Sequence, residues 1–565
     1  MNWNQIAKTA LPAAVALLLL PMAPASAQGT STMSVAARSV WQVDHTTRLT
    51  KLTIGDGAEV SPPAGHSLTL TVNGIGTAIA PGTYSGDVVL TVTKAVVVHY
   101  MKLAPEYFRT ALYVDNGSVV PEKSVKAERV GGTVTNTAAK DVSITSNQQK
   151  FNGIIVTGTS NYTIENAKIA LNGNGANDFD GFGAGVMSSG QANVTIDHAQ
   201  ISSKGVARGA IFVGGHSTMH VNNSLIEVSD GILPAGYKFT LEVGKMLEVP
   251  WMLGISGNAR ATLVVENGTA YYDHDHIVAE RWGALSTDGV EKTRLYAKDS
   301  LIETLKSGYG SYSLGDSLNS FDHCTFNVAD MALIMANGGS GTFTNGTVVN
   351  SRRFGVIMHS PAPQVGTLTI DKGSIFNTRS TAIQVKGLAA NIVVDHATLN
   401  ARNGILLQAM VNDDPFAPKP KSGTNTPVTA TFRDTTLSGD IVNSRTAQGG
   451  MTVEFKRAAL NGAISMATAA PAKGAAPTEK TYYLIGDVKN TFENTGGYGL
   501  AVSLDSDSRW TVTKTSYLSR LDIAAGAAVV APNAPDLSMT IDGKVVPLAP
   551  GHYRGHIVLM PRAAR

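Results

Sequence analysis

The sequence predicts an all-β protein, a right-handed parallel β-helix, and three observations support this prediction. A six-residue pattern (apolar, polar, polar, small, any residue, apolar) recurs, mostly at intervals of 22–27 residues. The chain contains 57 Gly and only 16% charged residues, and it has no long amphipathic helical pattern. Related segments also occur near both ends of the chain. Short repeats that cannot each bury a core become stable when they stack as coils, and crossovers between parallel strands are right-handed.

The first 27 residues predict a secretory signal peptide. An apolar run follows one Lys and leads to Ala25-Ser26-Ala27, a small-x-small cleavage site. We therefore expect an exported protein, periplasmic or secreted. No transmembrane segment is expected after signal removal, since no other run approaches the ~18 apolar residues of a membrane helix. The net charge of +2 without a basic block argues against nucleic acid as a partner. The oligomeric state is left open.

The repeats run through the middle of the chain. Copies of the six-residue pattern begin at Ile164, Ile196, Val221, Tyr272, Ala297, Phe321, Phe343, Ile370, Val394, Phe432 and Phe455. The longer intervals contain insertions near residues 228–256 and 411–428, and a second strand precedes most copies. The periodicity resembles the pectate-lyase-like β-helix superfamily over roughly residues 130–470. This resemblance implies a fold and identifies no substrate.

The two ends of the chain carry a duplicated segment. Residues 41–90 align without a gap on residues 510–559, and 20 of the 50 positions are identical. The shared "W-x-V … L-x-x-L-x-I … GA-x-V" pattern resembles the closing coils of pertactin-like autotransporter passengers. That resemblance implies a β-helix cap rather than self-secretion. We therefore expect a cap module at 28–100, a β-helix at 101–500 and a second cap module at 501–565.

Two columns of the repeat hold candidate residues for chemistry. The third position of the pattern is polar in every copy and includes four His. No two of them are in successive copies, so a solvated turn is expected and no metal site is predicted. The fourth position is small in every copy except one, where Asp275 places a carboxylate. Asp275 either has a catalytic role or accepts hydrogen bonds from the turn.

The strand before each pattern predicts a binding groove. It is apolar on both faces, so both faces should be covered, one of them by the core. A row of small residues would form the floor of the groove, and the insertion before Trp251 would supply a lid. A lid without a ligand is the alternative. The residues expected to bind substrate are Arg208, Phe212, Trp282, Tyr312, Asp330 and Arg353.

The groove suits an extended ligand, a polysaccharide in the first place. Paired carboxylates would serve a glycoside hydrolase, whereas an Arg beside a Tyr would serve a lyase that eliminates from a uronate. The expected catalytic residues are Asp275, Asp288, Arg281, Tyr309 and Asp316. No cofactor is expected, although Asp178 and Asp180 form a candidate Ca²⁺ site. A non-catalytic adhesin, or an enzyme acting on an aromatic substrate, would also fit this sequence.

Overall fold

A computed structural model describes residues 31–98, 106–177, 179–242, 244–289, 291–359, 365–416, 426–445, 449–495, 499–532 and 537–561. The predicted signal peptide and Asp178 lie outside these residues. The chain divides into two compact units, residues 1–219 with 224–247 and residues 220–223 with 248–565. The domain boundaries expected from the sequence remain predictions.

Each coil contains three strands, called a, b and c in chain order. In one coil they are Asn193–Asp197, Gln200–Lys204 and Ile211–Val213. Strands of the same letter in neighbouring coils pair in parallel, as Asn161–Glu165 does with Asn193–Asp197. The first pair of a strands and the last pair of c strands named below are antiparallel. These parallel ladders confirm the all-β parallel β-helix.

The strands have the following bounds. The a strands are Thr133–Val134, Ala138–Lys140, Asn161–Glu165, Asn193–Asp197, Thr218–Asn222, Thr269–Asp273, Thr293–Lys298, Ser317–Asp322, Ser340–Thr344, Gly366–Asp371, Ala390–Asp395, Val428–Arg433, Met451–Lys456 and Leu500–Leu504. The b strands are Ser143–Ser146, Lys168–Asn172, Gln200–Lys204, Leu225–Ser229, His276–Ala279, Leu301–Thr304, Thr325–Val328, Val348–Ser351, Ile375–Thr378, Thr398–Ala401, Thr436–Ser438, Ala459–Gly462, Arg509–Val512 and Ala528–Val530. The c strands are Glu106–Asp115, Phe151–Thr157, Val186–Ser188, Ile211–Val213, Thr262–Val264, Gly283–Thr287, Tyr309–Leu314, Met331–Ala336, Phe354–His359, Ile383–Lys386, Ile405–Met410, Asp440–Ser444, Ile464–Pro471 and Val488–Phe492.

The remaining strands flank the coils. They are Thr32–Val35, Val40–Gln42, Thr47–Ile54, Glu59–Ser61, His66–Val72, Ile75–Thr77, Gly82–Lys94, Val96–Val98, Ser118–Val119, Arg129–Val130, Ser516–Ile523, Leu537–Ile541, Lys544–Val546 and Gly551–Pro561. The 3₁₀ helices are Pro121–Lys123, Lys126–Glu128, Trp251–Leu253 and Glu479–Leu484. None of the helical turns in the described ranges has the length or apolar character needed to cross a membrane.

The turn from strand a to strand b explains the polar column of the repeat. Every residue of that column has a left-handed backbone, with φ between 47° and 57°. Asn, Asp and His tolerate this conformation better than other side chains, whereas β-branched residues do so poorly. These residues are Asn166, His198, Asn223, His274, Asp299, His323, Asn345, Lys372, His396, Asp434 and Arg457. The polar residues of this column are therefore explained by the left-handed backbone that the turn requires.

The small residues of the c strands face the core. A Cβ on Gly310 would lie 2.5 Å from the Phe326 ring, and one on Gly355 would lie 2.8 Å from the Phe376 ring. Both rings belong to b strands inside the coil. The expectation that this row forms the floor of an outer groove is therefore wrong at these positions. The space is needed by aromatic side chains of the core.

The c strands are buried on both faces, as their composition predicts. All six residues of Met331–Ala336 and all six of Phe354–His359 are buried. One face of these strands contacts the core, and other segments of the chain cover the second face. The second face carries the candidate site described next.

Candidate functional site

A buried ion pair lies on the outer face of the c strands in the second unit. Nη1 of Arg260 donates to Oδ2 of Asp288 at 3.1 Å. The Arg260 side chain is 3% exposed and that of Asp288 is 12% exposed. The guanidinium also lies over the Trp282 ring, 5.3 Å from its centroid. A charge pair held away from water in this way makes strong electrostatic interactions with any group that enters beside it.

Two tyrosines from the next coil complete this cluster. The rings of Tyr309 and Tyr312 lie 5.5 Å apart between centroids. The Tyr309 hydroxyl is 3.0 Å from the Ser286 hydroxyl. Gly283 makes room for the Tyr309 ring, since a Cβ there would lie 1.9 Å from it. We call the six residues Arg260, Trp282, Ser286, Asp288, Tyr309 and Tyr312 the Arg260 site.

Burial changes the proton affinity of two groups in the Arg260 site. It raises the pKa of Asp288 even though Arg260 opposes this shift. It also raises the pKa of Tyr312 well above the ordinary value, and the nearby charge of Asp288 contributes. Asp288 therefore becomes a stronger base than an ordinary Asp, and Tyr312 keeps its proton at neutral pH. Tyr312 is half-buried, so part of its side chain reaches the protein surface.

Two straps cover the c strands beside the Arg260 site. The inner strap is residues 248–257, which belong to the insertion that the sequence analysis expected to form a lid. Its Val249, Leu253 and Ile255 pack in one cluster with Trp282, Tyr309, Met331, Ile334, Phe354 and Ile357. The outer strap is residues 479–487, and its Tyr482 hydroxyl donates to the Ser256 hydroxyl at 3.1 Å. This part of the outer face is therefore filled by the chain itself.

Arg353 and Asp330, expected to bind substrate, hold the straps and the neighbouring coils. Arg353 donates from Nη1 to the Gly254 carbonyl at 2.8 Å and from Nη2 to the Ile485 carbonyl at 2.7 Å. Its Nη1 is also 3.3 Å from Oδ1 of Asp330. The other Asp330 oxygen accepts from the Ser307 hydroxyl and the Gly308 amide, both at 2.7 Å. The structure gives both residues structural partners.

The expected catalytic carboxylates have different surroundings. Asp275 lies in the turn between strands a and b, is 3% exposed and accepts from the Asp273 amide at 3.1 Å. This contact is the turn hydrogen bond that the sequence analysis gave as the alternative to catalysis. Asp316 follows the c strand of the coil after Asp288, is exposed and lies 3.7 Å from Nη2 of Arg294. The structure thus brings Asp288 together with Trp282, Tyr309 and Tyr312, and it leaves Asp275 at another corner of the coil.

Three other expected residues have local roles. Nη1 of Arg281 donates to the Ser256 hydroxyl of the inner strap at 2.9 Å. Arg208, in the first unit, is completely buried and donates to the carbonyls of Phe151 and Gln148. Burial lowers the pKa of Arg208 to about 9, and the charge of Arg109 adds to the shift. Phe212 is 6% exposed, and its ring lies against Gly181.

In the part of the chain that the structure describes, candidate cation ligands occur at three places. At the expected Ca²⁺ site, Asp180 accepts from the amide of Phe182 at 3.0 Å and from the side chain of Asn177. Two groups on the turns between strands a and b, each an exposed His between two half-buried Asp, also place ligand atoms within 4.8 Å of one another. They are Asp273 with His274 and Asp299, and Asp395 with His396 and Asp434. The carboxylates of the second group already pair with Arg433 and Arg457.

Arg260 was missed in the sequence analysis. It lies two residues before the c strand Thr262–Val264 and pairs in parallel with Gly283 of the next coil. The insertion upstream of Arg260 obscured the repeat in this coil. Arg260 pairs with Gly283, which in turn pairs with Tyr309. It therefore lies outside the column of Arg281, and the repeat offers no signal that would have identified it.

Comparisons with known proteins do not assign a family. No protein-family model and no curated protein sequence matches this chain. The resemblance to the pectate-lyase-like superfamily therefore remains a prediction beyond the parallel β-helix itself, and any function has to be argued from the Arg260 site.

Proposed function

We propose that this protein is an exported enzyme that binds an acidic polysaccharide at the Arg260 site and cleaves it by β-elimination. The observation that carries the proposal is the buried Arg260–Asp288 ion pair, at 3.1 Å, beside aromatic rings on the outer face of parallel strands. Tyr312, which is half-buried, would provide the ring on which a sugar stacks, since Trp282 and Tyr309 pack under the inner strap. A guanidinium such as that of Arg260 pairs well with a carboxylate. A uronate residue has both a sugar ring that can stack and a carboxylate that can pair with Arg260.

The groups of the site suit the three requirements of elimination. Arg260 would pair with the uronate carboxylate, which makes the hydrogen on the adjacent carbon more acidic. Asp288, whose pKa is raised, would accept that proton. Tyr312, which keeps its proton, would donate it to the departing glycosidic oxygen. The C–O bond breaks, a C=C bond forms in the uronate ring, and solvent returns both groups to their starting state.

Elimination fits this site better than hydrolysis by two carboxylates. Hydrolysis of that kind needs a second acid about 5–9.5 Å from the first. Within the described ranges, Asp275 lies at a different corner of the coil and Asp316 is exposed beside Arg294. Elimination needs only one carboxylate.

The test follows the two products of the reaction. Purified protein is incubated with uronate-containing and neutral polysaccharides while ultraviolet absorbance and reducing ends are recorded. We expect both signals to rise with a uronate substrate and to be lost in Asp288→Asn and Arg260→Met. Asp316→Asn, the control at an exposed acid, should keep activity. Reducing ends without absorbance would contradict elimination, and activity in both site variants would contradict the site.

A non-catalytic adhesin is the second candidate, because outer columns of the helix are regular. The side-chain amides of Asn350, Asn377 and Asn400 each donate to the Asn of the coil before, at 3.0–3.1 Å. On another outer face, His220, Tyr271 and Tyr296 stack with centroid distances of 4.6 and 5.0 Å. Binding of a polysaccharide without either product would favour this function. Turnover of an aromatic compound instead would favour a non-sugar enzyme.

A further inference from the structure

The N-terminal module, residues 32–94, and the C-terminal module, residues 501–561, have the same internal pairing. Thr47–Ile54 pairs with Gly82–Lys94, and the register shifts between Leu49 and Lys51. Ser516–Ile523 pairs with Gly551–Pro561, and the register shifts between Leu518 and Arg520, the same positions 469 residues later. Even the hydroxyl of Tyr84, which donates to the Ala80 carbonyl, has its counterpart in Tyr553 and Ala549.

The C-terminal module docks on the coil before it through two strands. Leu500–Leu504 pairs in parallel with Met451–Lys456, and Arg509–Val512 pairs in parallel with Ala459–Gly462. Trp510 lies in this contact, is completely buried, and donates from its indole nitrogen to the Gly462 carbonyl at 2.9 Å.

The same docking surface of the N-terminal module receives no coil. Its equivalent strands are Thr32–Val35 and Val40–Gln42, which we call the docking face. Within the ranges the structure describes, they pair only inside their own module. Val40 is 69% exposed, and Trp41, the counterpart of Trp510, is only half-buried.

The C-terminal module leaves the opposite edge without a coil. In the N-terminal module, Ile75–Thr77 pairs in parallel with the coil strand Ser143–Ser146 through Gly76 and Ser146. Its counterpart, Lys544–Val546, pairs with Leu537–Ile541 and, among the described strands, with no strand of a coil. Val545 on this strand is 78% exposed. An unpaired strand edge with exposed apolar side chains is a template for another chain.

We propose that two copies of this protein associate head to tail, with the docking face of one copy on the Lys544–Val546 edge of the next. The N-terminal module has a free docking face, whereas the equivalent face of the C-terminal module pairs with a coil. The C-terminal module has a free Lys544–Val546 edge, whereas the equivalent edge of the N-terminal module pairs with a coil. One copy can therefore supply the strand that the next copy lacks. The equivalent contacts within the chain are all parallel. A two-fold axis would pair two docking faces antiparallel, so parallel pairing requires the heterologous, repeating arrangement.

The test uses variants that block one surface each. Val40→Lys and Trp41→Glu block the docking face, and Val545→Lys blocks the free edge. Two separate docking-face variants are needed because Trp41 also packs on its own module. Ile232→Lys is the control, since Ile232 is 90% exposed and lies in neither module. Mass is measured by analytical ultracentrifugation across a dilution series of the full chain.

We expect the mass of the unmodified protein and of Ile232→Lys to increase with concentration beyond a dimer. Each blocked variant alone should stay monomeric. A mixture of Val40→Lys with Val545→Lys should form dimers and nothing larger, since one free edge and one docking face remain. A monomeric unmodified protein at every concentration would overturn the proposal. Dimers that survive Val545→Lys but not Val40→Lys would also overturn it, because two docking faces would then meet.

Discussion

Replacing Arg353 with Met should release both straps from the c strands. Arg353 is the side chain that donates to both straps, through the Gly254 and Ile485 carbonyls. Asp330 would keep the Ser307 and Gly308 donors, so its charge remains satisfied. We therefore expect the strands beneath the straps to stay folded.

The size of the effect follows from the two lost bonds. Hydrogen bonds from a charged donor contribute about 1.5–3 kcal/mol each, so the upper bound for both is about 6 kcal/mol. Once a strap opens, its carbonyls bind water, which offsets part of this loss. A net change of about 3 kcal/mol corresponds to a rise of roughly 100-fold in the opening equilibrium.

Amide hydrogen exchange measures this opening directly. The Gly254 amide donates to the Trp251 carbonyl and the Ile485 amide to the Tyr482 carbonyl, so both report on their own strap. Both should exchange about 100-fold faster in Arg353→Met when local opening limits exchange. Arg402→Met, at an exposed arginine, is the control. Unchanged exchange rates at the Gly254 and Ile485 amides would show that Arg353 does not hold the straps. An equal increase in the exchange rates of all strands would indicate a global loss of stability instead.

Two further predictions concern the core and the response to pH. Gly310→Val should lower the urea midpoint and reduce the free energy of unfolding by about 1–3 kcal/mol or more, because its Cβ would overlap the Phe326 ring. An unchanged midpoint would contradict the orientation of the small c-strand residues toward the core. Burial raises the pKa of Glu128 to about 7 from 4.5, although Ser146 and Gln148 oppose the shift. Folding thus favours the protonated form, so this contribution to stability is present below pH 4.5 and is lost as the pH rises through about 7. Glu128→Gln should flatten this decline in urea unfolding between those pH values, and the same slope in both proteins would contradict it.

The fold was predictable because the signal repeats. The sequence of one coil alone does not identify the fold. The turns before Ala167 and Ala397, however, share one feature, a residue with a left-handed backbone followed by a small residue packed against the core. Eleven copies of this turn pattern in one sequence predict a parallel β-helix. The duplicated modules were predictable for the same reason, since Trp41 and Trp510 begin segments with a shared pattern of identities.

The site was only partly predictable. Asp288, Trp282, Tyr309 and Tyr312 were chosen as polar or aromatic outliers in adjacent coils, and they do lie together. The choice of Asp275 relied on its being unusual in a column, which does not reveal the corner of the coil where that column lies. The groove floor was misplaced because Gly310 and Gly355 face aromatic rings of the core. Gly283, which was assigned to the same row, pairs with Tyr309 rather than with Gly310 and therefore lies on the other face. A shift of one residue reverses the face on which each side chain lies.

The amino-acid sequence alone was enough to predict the repeating turns, the parallel strands and the relation between the two modules. These features depend on residues a few positions apart, and the same local pattern occurs in many copies along the chain. The contact of Arg260 with Asp288 and the hydrogen bonds of Arg353 to two straps are visible only in the folded chain. The contact of Tyr482 with Ser256 spans 226 residues. Such contacts occur once in the chain and depend on the register of whole coils, so no local pattern in the sequence encodes them.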